Sequence, residues 1–376
     1  LLPSVIAHYD IDKATAGLLF IASTLGYLIA AFSSGLLLER LGRRNMLALG
    51  AVGMIAGAAI YSAMPPFVAL FPVLFCIGFG VAILDAGLNA YIAGLPSSTG
   101  LLNYLHAFYG IGALIGPLVA STILVLAWGW NTTYLVWVAA GGVVLLGFLL
   151  LFQDDGRVSA GKTGSGQAGA EGNILFVTLR TGLVWLAALF LLAYVGAEVS
   201  LGTWSYSLLT EDRHAAALIS GWTVSGYWMG LTVGRLVLGR IAERAGAARL
   251  IQWCLVGVAV GVALVWVAPN VAIAAVGLWV TGFSLGPIFP STIAVISERV
   301  EGRLQQSAIG FAASLGSLGA AFFPWLAGTL AQQVGLWTLL PFVGVLAVVM
   351  FGLWLALQRT NQHAIANAAV TEPREN

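Results

Sequence analysis

The chain has 376 residues, of which 60% are apolar or aromatic and 8% charged, with a net charge of +1 and a mean hydropathy of +0.95. Soluble domains carry about 25% charged residues, so this composition excludes a soluble enzyme, a disordered chain and a nucleic-acid binder. The 47 glycines fit the class that remains, a polytopic membrane protein, because small residues let membrane helices approach where no hydrophobic effect drives them together.

Runs long enough to cross about 30 Å of hydrocarbon, roughly 20 residues each, are predicted at 14–38, 46–64, 67–95, 103–127, 131–152, 181–209, 215–238, 250–268, 271–297, 305–332 and 335–357. All eleven read as helices, since the runs are continuously apolar rather than alternating. Cys76 and Cys254 fall inside such runs and read as buried thiols. Thirteen basic residues, among them Arg40, Arg43, Arg44, Arg240 and Arg249, lie in loops of one parity, against Lys13 and Arg213 in the other. The populated side is cytoplasmic by the positive-inside rule.

GLLLERLGRRNML from Gly35 recurs as GRIAERAGAARLI from Gly239, so Gly35, Glu39, Arg40 and Gly42 map onto Gly239, Glu243, Arg244 and Gly246 at an offset of 204. The same offset carries Gly78-Phe79 onto Gly282-Phe283 and Gly112 onto Gly316. One register relating three helix regions marks an internal duplication. Six spans separate the copies, which gives them the same orientation, as parallel repeats. Adding the offset to Leu1 gives Ser205, so a mostly absent first helix is expected before residue 1, with Leu1 at its outer end. The expected organisation is an N-terminal helix bundle at 1–152, a cytoplasmic linker at 153–180, a C-terminal bundle at 181–357 and a cytoplasmic tail at 358–376. The linker's Gly, Ser and charged residues cannot bury a core.

Gly35-x-x-x-Glu39-Arg40-x-Gly42-Arg43-Arg44 resembles the loop signature between the second and third helices of the major facilitator superfamily, with Glu where Asp is commoner. An acidic and a basic side chain there can form a breakable latch, and the glycines permit close helix contact. Within that superfamily, GFGVAILDAGLNAYIAGL around Asp85, LLNYLHAFYGIGALIGPL from Leu101 and YVGAEVSLGTWSYSLL from Tyr194 resemble the fucose permease family of sugar:proton symporters. The resemblance implies an all-α major facilitator fold of two six-helix bundles related by pseudo-two-fold symmetry, working by alternating access. It also implies a fourth-helix carboxylate followed four residues later by Asn, places filled by Asp85 and Asn89. The family's amide side chains at the places of His106 and Tyr109 are absent, which leaves the identity of the sugar open. Gly112-x-x-x-Gly116-Pro117 also resembles a fifth-helix signature of proton-coupled drug antiporters, so an antiporter exporting amphipathic solutes is the alternative. Its other reading is helix packing with a proline kink.

Asp85 and Glu198 are the carboxylates well inside spans, with Glu298 at a cytoplasmic end. A central charge costs about 2.5–3.5 kcal/mol on insertion scales, so such groups face a cavity and mark function. Asp85 reads as the proton carrier, or else as a protonated structural Asp. Glu198, one turn after Tyr194, can orient a solute hydroxyl, carry a proton or pair with Arg235 on the neighbouring helix. Arg235 lies close to the rim and reads as a structural ion pair or cytoplasmic gate. Asn103, His106 and Tyr109 recur at spacings of three and share a stripe that can hydrogen-bond a polyol or simply pack. Trp204, Trp222, Tyr227 and Trp228 offer faces for stacking on a sugar, or serve as interface anchors. No zinc-ligand cluster, phosphate loop or nucleophile pair is present in the sequence, so no cofactor, metal or enzymatic activity is expected. The expected partners are a small sugar-like solute, protons and the lipid bilayer, with the chain a monomer in the plasma (inner) membrane.

Overall fold

The computed structural model describes residues 1–93, 98–152, 176–300 and 302–371, and every regular element among them is helical. In order these are α1 (Leu2–Tyr9), α2 (Lys13–Ser62), α3 (Leu70–Ala93), α4 (Ser98–Val125), α5 (Thr132–Leu151), α6 (Gly182–Ser207), α7 (Ala217–Ala245), α8 (Ala247–Val267), α9 (Val271–Leu285), α10 (Ile288–Arg299), α11 (Gly302–Gln333) and α12 (Leu339–Thr371). Hydrocarbon offers backbone N–H and C=O groups no partner, so runs this apolar close their hydrogen bonds within themselves. Among the described residues nine helical segments are long and apolar enough to cross a membrane. One of them, α2, is two spans, because its chain leaves helical geometry at Gly42. With α2 counted twice they account for ten of the eleven spans of the sequence; α7, at the place of 215–238, carries Arg235 and Arg240 and is not among them.

Several boundaries differ from the sequence reading for local reasons. The span at 271–297 breaks between α9 and α10 at Gly286-Pro287, since Pro287 has no N–H to continue the ladder. The span at 181–209 continues through a π-helical turn, Leu208–Asp212. α1 has eight residues, about 12 Å of helix, and does not reach across a bilayer. Cys254 is buried as expected, but Cys76 is exposed on the surface of α3. Helix starts carry caps: the Thr15 N–H donates to Asp12 Oδ1 at 2.6 Å, and the Ile273 N–H to Asn270 Oδ1 at 3.0 Å. The Thr15 side-chain and backbone hydrogen bonds hold the Asp12 carboxyl below the usual carboxylate range.

By internal contacts the chain forms two compact units. The first comprises Leu1–Ser165, Thr203–Trp228 and Pro324–Thr338, the second Gly166–Gly202, Met229–Phe323 and Leu339–Asn376. The first is centred on Val5, Leu19, Tyr61, Leu70, Val73 and Trp130, with Tyr61 stacked on Tyr134 at 4.3 Å. In the second, α8 buries Leu250, Ile251, Leu255 and Val258, and Phe190 of α6 meets Trp354 of α12 at 5.7 Å.

The duplication seen in sequence is a duplication of contacts. A methyl group on Gly26 would overlap the backbone at Phe75 and Phe79, and one on Gly230 the backbone at Trp279 and Phe283, each member displaced by 204. Gly57 lies against Val73 and Ile77, and Gly261 against Gly277 and Thr281, at the same offset. The rings repeat as well, with Phe75 stacked on Phe79 at 6.4 Å and Trp279 on Phe283 at 5.1 Å. Gly42 (φ 72°, ψ 167°) and Gly246 (φ 85°, ψ 141°) reverse the chain in the same conformation, which L side chains rarely adopt.

Gly42→Ala is therefore expected to cost about 1–3 kcal/mol. Gly78→Ala, whose new methyl would overlap the Ser23 carbonyl, is expected to cost a similar about 1–3 kcal/mol by overpacking. Gly147→Ala, with no neighbour within 4 Å, should melt like the parent. Thermal unfolding of the detergent-purified chain reads all three, and an unchanged melting temperature for Gly78→Ala would contradict the crossing.

Candidate functional site

In the first unit α3 carries Asp85 and Asn89 one turn apart on a single face. Tyr27, from the first arm of α2, donates its hydroxyl to Asp85 Oδ2 at 2.9 Å. Asn89 Nδ2 donates to Asp85 Oδ1 at 2.8 Å and to the Asp85 carbonyl at 2.8 Å. Both carboxyl oxygens are held, yet the residue remains exposed. Tyr109 of α4, 64% exposed, stands close enough to Tyr27 to act on it electrostatically. The side chains of Asn103 and His106 lie outside the described residues. The structure thus brings together Asp85, Asn89 and Tyr109 from the sequence candidates and adds Tyr27, which sequence reasoning missed. Its one signal was a polar tip in the middle of an apolar run.

A second polar centre lies in the other unit. Arg235 Nη2 of α7 is 3.8 Å from Glu198 Oε1 of α6, with side-chain exposures of 29% and 12%. Arg235 Nε donates to the Gly286 carbonyl at 3.2 Å. In a continuous helix that carbonyl would accept from residue 290, which is a proline and has no N–H. The guanidinium supplies the missing donor at the break between α9 and α10. Tyr194 is buried, with its hydroxyl an electrostatic neighbour of both charges and without a hydrogen bond of ordinary geometry. Of the roles open to Glu198 in the sequence, the structure displays the pairing with Arg235.

The aromatic candidates do not form one surface. Trp204 is fully buried, its indole N–H donating to the Pro324 carbonyl at 2.9 Å and its ring lying against Gly328. Tyr227 is buried beside Trp228 at 5.2 Å, whereas Trp222 is 61% exposed. In this conformation Trp204 ties α6 to α11, and Tyr227 is buried. At the start of α2, the Lys13 ammonium pairs with Glu211 at 3.1 Å and the Lys13 N–H donates to Gln332 Oε1 at 3.1 Å.

The repeated loop also works differently from the expected latch. Glu39, Arg40 and Arg244 are exposed, and among the described residues Glu39 and Arg40 make no ion pair; the Glu243 side chain lies outside the described residues. The contacts come from their neighbours. Arg43 lies over the Tyr91 ring at 5.0 Å, and Arg44 Nη2 donates to the Leu149 carbonyl at 2.6 Å, tying α2 to α3 and α5. Among the described residues Gly35, Gly112 and Gly116 have no neighbour within 4 Å of an added methyl, and none of them acts there as a packing notch. The close crossing on α4 falls instead at Ser121, against Gly221, with Ser225 donating to the Leu114 carbonyl at 2.8 Å.

Comparison with known proteins gives a consistent family. The Major Facilitator Superfamily profile matches residues 1–208 and again 186–373. The chain is 26% identical, over 94% of its length, to bypass of stop codon protein 6 of Saccharomyces cerevisiae, of which it covers 77%. It is 21% identical, over 89% of its length, to the glucose/mannose transporter GlcP of Bacillus subtilis, covering 84% of that protein. Its fold matches the nucleoside transporter NupG with a TM-score of 0.76 at 15% identity, over 95% of this chain and 92% of that one. It matches a variant of the E. coli fucose:proton symporter FucP with a TM-score of 0.64 at 18% identity, over 95% and 93%. One profile fitting the chain twice accords with the internal duplication, and the chain belongs to the Major Facilitator Superfamily, as a multi-pass membrane transporter rather than an enzyme.

Proposed function

We propose that this transporter is a proton-coupled symporter of a neutral, sugar-like solute. In this reading two helix bundles, 1–152 with five complete spans and 181–357 with six, alternate access to a central site in the plasma membrane, with the linker and C-terminal tail in the cytoplasm. The observation that carries it is Asp85, an exposed carboxyl in the span formed by α3, with both oxygens held by neutral donors. A charge at that depth is costly and a proton removes it, so protonation changes which state of the carrier crosses easily. Asn89, Tyr109, Asn103 and His106 offer hydroxyl, amide and imidazole groups for a polyhydroxylated solute. The related GlcP is a glucose/mannose transporter, FucP a fucose:proton symporter and NupG a nucleoside transporter, which supports this solute class. Glu198 enters as the counter-ion of Arg235.

Asp85→Asn tests the coupling, because the amide imitates the protonated carboxyl permanently. The variant, reconstituted in liposomes with a panel of labelled sugars and nucleosides, should exchange the solute across the membrane yet fail to accumulate it under a proton gradient. In an antiporter, proton and solute compete for the site, and the same change would impair solute binding itself. Accumulation equal to the parent would remove Asp85 from the coupling step. His106→Ala is expected to weaken solute binding by about 1–3 kcal/mol, the cost of leaving a partner's polar group unpaired. Ligand-induced shifts in melting temperature measure it.

A further inference from the structure

We propose that Tyr27 is the positioning residue of the coupling site: its hydroxyl holds the Asp85 carboxylate and sets the pH at which Asp85 takes up its proton. This rests on the reading of Asp85 as the coupling carboxyl. Three observations carry it.

First, the geometry is direct. The Tyr27 hydroxyl donates to Asp85 Oδ2 at 2.9 Å, and Asn89 occupies the other oxygen. Second, the spacing is held by backbone. Gly26 beside Tyr27 lies against the backbone at Phe75 and Phe79, and Gly78 against the Ser23 carbonyl, so α2 and α3 cannot slide without a clash. Third, the second repeat is an internal control. It builds the same glycine crossing at Gly230, Trp279 and Phe283, but at the sequence positions of Tyr27, Asp85 and Asn89 it has Leu231, Phe289 and Ile293. The crossing therefore forms without any of the three polar groups, and packing alone does not explain their presence in the first repeat.

Among the described residues the groups facing Asp85 are Tyr27 from α2, Asn89 from its own helix and, through Tyr27, Tyr109 from α4. His106 lies one turn before Tyr109 on α4, with its side chain outside the described residues. A hydroxyl donating to a carboxylate stabilises the charged form over the neutral one. Tyr27→Phe keeps the ring and deletes the donor, so Asp85 should take up its proton at higher pH.

The test needs no solute. The C=O stretch of a protonated carboxyl is followed by infrared difference spectroscopy while the reconstituted full chain is titrated. His106 contributes nothing to that band, and subtracting the Asp85→Asn titration removes Glu198 and every other carboxyl. The expected result is an Asp85 midpoint about one pH unit higher in Tyr27→Phe, a roughly tenfold gain in proton affinity, at an unchanged melting temperature. Asn89→Leu should move the midpoint the same way. A midpoint unmoved or lowered in Tyr27→Phe overturns the proposal while leaving Asp85 as the coupling site. A titration with no component lost in Asp85→Asn overturns both.

Discussion

Inside hydrocarbon no hydrophobic effect presses one helix on another, so the contact between α2 and α3 depends on how closely two backbones can come. Gly26 and Gly78 remove the side chains that would keep them apart, and the helices meet at van der Waals range of peptide groups. That single constraint propagates. It places Tyr27 beside the crossing, brings its hydroxyl to Asp85 and leaves the outer face of the first arm of α2 to apolar side chains such as Leu25 and Ile29. Where glycine gives the chain another freedom, at Gly42, the same helix can turn back without a long loop and supply its second arm to the same packing.

The duplication copies this scaffold but not its chemistry. The glycine notches, the stacked ring pairs and the positive-φ turns recur at one offset, because each is a condition for helices to meet or reverse. Outside the repeated loop, where Glu39 and Arg40 recur as Glu243 and Arg244, the ionisable groups within the spans do not: Asp85 corresponds to Phe289, and Arg235 to Ala31. Two copies with identical chemistry would bind a proton or a solute identically. Divergence of the polar residues on a shared frame gives one copy a carboxyl among neutral donors and the other an ion pair.

The fold was open to sequence reading because its determinants are local. Span length, glycine spacing and the distribution of arginines are all visible in a linear chain, and they yielded the helices and the repeat register. Asp85, Asn89 and Glu198 stood out for the same reason, as polar residues in apolar runs. Tyr27 did not, because its meaning lies in a partner 58 residues away. A lone tyrosine in a span looks like any amphipathic aromatic. Trp204 is a similar case: composition identifies an aromatic ring, but its bond to the Pro324 carbonyl, which fastens α6 to α11, lies 120 residues away. The break at Gly286-Pro287 was smoothed over because two short helices in line have the apolar length of one.

The two polar centres differ in what a proton would do to them. Glu198 faces a guanidinium that is itself engaged by the Gly286 carbonyl, so neutralising Glu198 would take a charged partner from that cation. Among the described residues the partners of Asp85 are the neutral Tyr27 and Asn89. Its carboxyl can gain a proton without stranding a charge, and its hydrogen-bond partners remain usable, since the Tyr27 hydroxyl can rotate and a protonated carboxyl still accepts at one oxygen. A site that changes charge in each cycle must have two tolerable states. By that standard the neutral partners of Asp85 support the proposed assignment of proton movement to α3, beside the ion pair that joins α6 and α7.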